Sequence, residues 1–156
     1  MPTSMDELGR ILFSARETRD PSAVFDLIPY CRFLGFKAEL DGEDVICRLR
    51  YADHLIGNTR LPAIHGGVIG SFLEMAAITQ LVWMAEFPGV PRTIDITIDY
   101  LRSARPVDML ARTIVTKHGR RVANVRVEAW QDDPAKPVAL AHGHFKMPTP
   151  PEETTG

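Results

Sequence analysis

Between Arg60 and Glu86 one residue alone carries a formal charge, Glu74. Carboxylates act as general bases or as nucleophiles. One set in an apolar run needs a reason to be there, because leaving it buried and unpaired costs several kcal/mol. A bond to a backbone group or a solvated interface is the structural explanation; catalysis is the functional one. Upstream stands His65-Gly66-Gly67, and glycines let another group come close to the backbone. The other reactive types are scattered. Cys31 and Cys47 form no C-x-x-C and no zinc spacing, and Cys47 lies in an alternating stretch that reads as a small buried side chain. His142 and His144 share a strand face at i, i+2. That is half a metal site with no third ligand by motif, and the pair reads as structural or surface histidines. No metal or cofactor is expected.

These residues sit in a chain of 156, with 45% apolar and 24% charged residues, net charge −2 and a pI near 6.2. That is the length of one domain, able to bury roughly 70% of the surface its unfolded chain exposes, so neither disulfide nor metal is needed to hold a core. The charge balance excludes a broadly basic nucleic-acid binder and a polybasic membrane-surface protein. The opening stretch is dotted with Asp6, Glu7, Arg10, Arg16, Glu17 and Arg19, which is not a signal-peptide pattern. A reducing cytoplasm is the expected compartment. The charge-poor window is long enough to test as a membrane span, and Gly66-x-x-x-Gly70 could be a helix-dimer motif in lipid. Glu74 near its centre, with Ser71, Thr79 and Gln80 around it, argues instead for a helix buried in protein.

The elements that must position Glu74 follow from periodicity and breakers. Leu8, Ile11, Leu12 and Ala15 repeat at i, i+3, i+4, i+7, which predicts an amphipathic helix. Pro21 opens a short second helix to about Ile28, and Pro29 is expected to end it. Residues 34–40 and 43–50 read as strands joined at Asp41-Gly42. Residues 51–64 read as a loop, and 67–86 as one long apolar helix stopped by Pro88-Gly89 and Pro91. Then Ile94, Ile96, Ile98 and Tyr100 alternate with Asp95, Thr97, Asp99 and Leu101, and strands follow over 108–117, 121–131 and 138–147. The expected organisation is an N-terminal helical segment over 1–28, one domain over 29–147 and a polar tail over 148–156. Runs of strands around one helix imply an α+β fold with an antiparallel sheet. A helix apolar nearly all round needs a sheet curled around it, or a second subunit over what the sheet leaves open. A long helix in a curled sheet is the hotdog architecture.

The stretch His65-Gly66-Gly67-Val68-Ile69-Gly70-Ser71-Phe72-Leu73-Glu74 resembles the H-G-G-x(6)-[DE] signature of phenylacetic-acid-degradation type (PaaI-like) hotdog thioesterases. Ile28-Pro29-Tyr30 with Leu34-Gly35, Thr93-Ile94-Asp95 with Tyr100-Leu101-Arg102, and Gly119-Arg120-Arg121-Val122-Ala123 resemble other pieces of the same family. The resemblance runs from about Ile28 to Phe145.

The resemblance implies hydrolysis of an acyl-CoA thioester, with Glu74 as nucleophile or as general base for water. It implies an oxyanion hole of backbone N–H groups at the helix start, supplied by Gly66 or Gly67 and aided by the helix dipole. Eight residues separate Gly66 from Glu74, roughly 12 Å along a helix, whereas both groups must lie about 3 Å from the reacting atoms. A homodimer in which antiparallel helices of two subunits share two equivalent sites resolves this, as the family also implies, with a dimer of dimers as an extension. Asn58 is a candidate to hold the carbonyl or the water, Thr93 to orient the water, and His65 to set the loop before the helix. Arg102, Arg105, Arg120 and Arg121 lie at strand ends or in a hairpin and are candidates for the CoA phosphates. Met75, Ile78 and Trp83 are expected to line the acyl pocket. Two other readings compete. A hotdog hydratase/dehydratase would place an acid five residues after the glycine, where Phe72 stands. A non-catalytic acyl-CoA or lipid sensor would have no use for Glu74.

Overall fold

The computed structural model describes residues 4–150. Helix α1 (Met5–Ala15) begins at Ser4, whose hydroxyl accepts from the Glu7 amide, an N-cap of the usual kind. Helix α2 (Ser22–Asp26) follows Pro21. Helix α3 (Pro29–Leu34) replaces the start of the strand expected from residue 34. Pro29 does end the preceding segment, but it sits at the first helical position, where its missing N–H costs nothing, and it opens a new helix. Gly35, at φ 77°, closes that helix. Strands β1 (Phe36–Asp41) and β2 (Asp44–Leu49) form the expected hairpin. The expected loop over 51–64 holds a 3-10 turn (Asp53–Leu55) and a small hairpin, β3 (Ile56–Asn58) with β4 (Ala63–Ile64). Strands of two and three residues are too short to leave a periodic signal.

The long helix α4 (Gly66–Met84) leads into β5 (Arg92–Tyr100), β6 (Met109–His118), β7 (Val122–Trp130) and β8 (Ala139–Lys146). The six longer strands make one antiparallel sheet in the order β1-β2-β6-β7-β8-β5, and α4 touches β2, β5, β6, β7 and β8. This is the α+β hotdog expected. Of the tail, Pro148, Thr149 and Pro150 carry no regular structure, and the remainder of that expectation lies outside the described residues.

By length and mean hydropathy α4 could cross a membrane, but 67% of its most apolar 18-residue window is buried inside the protein. It is the core helix of the sheet. Phe72, Leu73, Ala76, Ala77 and Leu81 are fully buried on the sheet side. The Phe36 ring lies 5.2 Å from that of Phe72 and 5.8 Å from that of Phe25, so α2, β1 and α4 share one aromatic cluster. Gln80 is buried on the same helix, and its Oε1 accepts from the Val45 amide at 2.9 Å. Arg16, which caps the end of α1, donates to the Ala85 carbonyl at the far end of α4, where a cation suits the helix dipole. Leu12, Val24 and Phe25 belong to the same core as the sheet. Both cysteines are buried and free, and burial pushes the Cys31 thiol up to about 11 and the Cys47 thiol higher still. Neither is a thiolate nucleophile.

Candidate active site

The sheet leaves one flank of α4 open. Gly67 is exposed, and Gly70, Ser71, Glu74 and Met75 are half-buried. Glu74 is therefore not the fully buried acid that the apolar run suggested, and it is not unpartnered. The Thr93 hydroxyl donates to its Oε1 at 2.6 Å. Its Oε2 has no hydrogen-bond partner among the described residues.

Thr93 reaches Glu74 because β5 carries a bulge. Thr93 pairs with Phe145 and Asp95 with His144, so two steps along β5 oppose one along β8. Phe145 is fully buried beneath the sheet, and His144 is exposed on its outer face. In a regular strand Thr93 and Asp95 would share a face. The extra residue, Ile94, instead turns Thr93 inward toward the helix while Asp95 stays outward, the kind of re-aiming that bulges provide. Asp95 then meets His144, with Oδ1 and Nδ1 2.8 Å apart. Strand pairing thus brings an acid to one of the two histidines. Among the described residues no group of three His, Cys, Asp or Glu is placed to hold a metal.

The start of α4 divides the donors expected from Gly66 and Gly67. His65 is the N-cap, and its Nδ1 accepts from the Gly67 amide at 2.8 Å. The imidazole is thus a neutral acceptor at Nδ1. The His65 carbonyl accepts from Val68 and Ile69. That leaves the Gly66 N–H as the amide of the first turn without a partner among the described residues. On its other side, the Gly66 carbonyl accepts from the Tyr100 hydroxyl at 2.8 Å. Tyr100 was not among the residues expected to matter, although the alternation of Ile96, Ile98 and Tyr100 already aims it at the helix. A cavity of about 420 Å³ opens at this helix start, lined by Ile64, Gly66, Ile69, Tyr100, Arg102 and Ala104 among others. Gly66 and Gly70 face β5: a Cβ on Gly70 would meet Ile98 Cδ1 at 3.1 Å. The Gly66-x-x-x-Gly70 spacing therefore admits the side chains of β5, which is a better account than a lipid-facing helix pair. Gly57 backs the cap, since a Cβ there would lie 2.7 Å from the Cα and the ring of His65.

Within one chain, Glu74 and the Gly66 N–H remain eight residues apart on one continuous helix, about 12 Å. Asn58 is a turn residue, with Oδ1 accepting from the Arg60 and Leu61 amides. Trp83 does not join Glu74. Nine residues along a helix bring a side chain to the opposite side, and Trp83 lines a cleft with Phe13 and Arg16 instead. Ile78 is buried and Met75 half-buried. The four arginines fall at two ends of the sheet. Arg105 pairs with Asp132, and Arg102 donates to the Pro137 carbonyl. Arg120 and Arg121 flank the other end of β7, nine residues away, about 30 Å. They have no ion-pair partner among the described residues, and Arg120 edges a cleft of about 220 Å³ with His118, Glu86 and Phe87.

Comparison with known proteins agrees with this architecture. Residues 61–138 match the model of the Thioesterase superfamily. The medium/long-chain acyl-CoA thioesterase YigI of Salmonella typhimurium is 31% identical over 121 residues, covering 68% of this chain and 77% of that one. YigI of Escherichia coli K12 is 29% identical over 120 residues with the same coverage. Among solved structures, a protein from Chromobacterium violaceum superposes with a TM-score of 0.75 at 34% identity, covering 91% of this chain and 99% of that one. A phenylacetic acid degradation-related protein from Ralstonia eutropha JMP134 shares the fold, with a TM-score of 0.71 at 20% identity over 88% of this chain and 99% of that one. The chain belongs to the thioesterase superfamily, as a thioester hydrolase built on the hotdog fold.

Proposed function

We propose that this chain hydrolyses medium- or long-chain acyl-CoA thioesters at sites shared by two copies of itself. The observation that carries the proposal is the Thr93–Glu74 hydrogen bond on the open flank of α4. It anchors one carboxylate oxygen and leaves Oε2 to work on a substrate. Glu74 takes a proton from water as the water oxygen adds to the thioester carbonyl carbon. Negative charge gathers on the carbonyl oxygen, which the N–H of Gly66 of the partner subunit stabilises together with its helix dipole. The C–S bond then breaks, CoA leaves as the thiolate and takes up the proton, and the free acid departs. Thr93 orients the carboxylate, since its proton is donated to Glu74. Direct attack by Glu74 would pass through an anhydride instead. In a single turnover in ¹⁸O water, an unlabelled product acid with the label left in Glu74 marks direct attack, with water opening the anhydride at the Glu74 carbonyl carbon.

The partner copy is argued from the open flank of α4 and from β5, which ends the sheet with Ile94, Tyr100 and Leu101 exposed. The acyl class follows the two YigI relatives. Arg120 and Arg121, as cations without ion-pair partners, suit the CoA phosphates better than Arg105, which already has one. The two free, buried cysteines fit a reducing cytoplasm. The test is release of free thiol from aromatic, medium-chain and long-chain acyl-CoAs by wild type and Glu74→Gln, with sedimentation to count copies. Turnover that depends on Glu74 is expected, in a dimer or a multiple of it. Tight binding of acyl-CoA with no turnover would favour the sensor reading, and a fully active monomer would remove the shared site.

A further inference from the structure

We infer that the Tyr100 hydroxyl is a positioning residue for the oxyanion hole, clamping the Gly66–Gly67 peptide so that the Gly66 N–H stays aimed at the substrate carbonyl. The inference rests on the proposal that this N–H holds the oxyanion. Two successive glycines are the loosest way to begin a helix, because neither has a Cβ to restrict its backbone. The Gly66–Gly67 peptide is nonetheless gripped at both edges. Its carbonyl accepts from Tyr100 at 2.8 Å, and its N–H donates to His65 at 2.8 Å. The preceding peptide is held through the His65 carbonyl, which takes the Val68 and Ile69 amides. The Gly66 N–H lies in that preceding plane, which the Gly66 Cα hinges to the gripped one; with both planes fixed it has one direction left, and that direction carries no protein acceptor among the described residues.

Packing within its own subunit does not explain Tyr100. It is 54% exposed, so its ring adds little to the core, and its hydroxyl is spent on a backbone carbonyl at the mouth of the helix-start cavity. Preorganised donors owe their effect to needing no rearrangement when charge develops. Removing the clamp should therefore slow the chemical step and leave substrate binding alone.

The experiment is a double-mutant cycle between Tyr100→Phe and Gly66→Pro. Proline at residue 66 deletes the N–H, and it fits there: position 66 opens the helix, and His65 at φ −59°, ψ 133° has a backbone that proline accepts after it. Tyr100→Phe should lower kcat about tenfold with KM unchanged, and should cost nothing further once Gly66→Pro is present. Wild-type kcat in Tyr100→Phe, or an equal loss in both backgrounds, overturns the clamp while the oxyanion assignment stands. Wild-type kcat in Gly66→Pro overturns that assignment and the clamp with it. Should the proline protein lack a cooperative melt, a backbone ester at residue 66 removes the same N–H and takes its place in the cycle.

Discussion

The two flanks of α4 differ more than any two regions of this chain. On the sheet side Phe72, Leu73, Ala76, Ala77 and Leu81 are sealed, and the polar groups among them are satisfied, Gln80 by the Val45 amide and Thr79 by the Met75 carbonyl. On the other side Gly67, Gly70, Ser71, Glu74 and Met75 stay partly open, and two hydrogen bonds tie this flank to single side chains of β5. One helix thus serves as the centre of the core and the floor of the candidate site. Substitutions on the sealed flank should cost stability and spare turnover. Those on the open flank should do the reverse.

That contrast can be broken at several points. Phe72→Ala on the sealed flank should cost about 3–5 kcal/mol in denaturant unfolding, with kcat of the folded fraction near wild type; a large kcat loss without destabilisation would contradict the division. On the open flank, Glu74→Gln and Gly66→Pro should each lose about a thousandfold in activity. Refolded together in equal amounts, they should recover about a quarter of wild-type activity, since half the dimers then hold one intact shared site. No recovery from mixed dimers would place both groups in one subunit's site. Gln80→Leu leaves the Val45 amide without its acceptor and should cost about 1–3 kcal/mol, seen as a lower denaturation midpoint at unchanged kcat. Smallest is Thr93→Val, which keeps the shape and loses the hydroxyl: kcat should fall about tenfold, Thr93→Ser should restore it, and the melting temperature should stay put.

Much of this division is legible in the sequence. The lone charge of Glu74 in an apolar window marked the central helix, and the alternation through Ile96, Ile98 and Tyr100 marked the strand beside it. What escaped has identifiable causes. Pro29 was read as a stop, yet the same missing N–H that ends one helix opens another. The hairpin of β3 and β4 is too short to have a period. Thr93 was named, but its contact with Glu74 depends on a bulge at Ile94, and an alternating pattern cannot reveal an inserted residue. Gly66 and Gly67 were equivalent on paper. They part company only because the His65 ring turns its Nδ1 to Gly67. In sequence all four arginines lie at strand ends or in a hairpin, whereas the sheet register sets them at opposite ends.

Gly57 has a consequence for how this protein can be altered. Its backbone lies so close to His65 that even a methyl group would collide with the Cα and the ring. The base of the small hairpin and the first turn of α4 therefore move as one body, with no slack between them. Beyond Asn58, residues 59–62 are exposed, and that tip is open to insertion, shortening or a fused label. A designer can vary the tip freely, but a single carbon added at its base is transmitted through His65 to the Gly67 amide and loosens the helix start from behind.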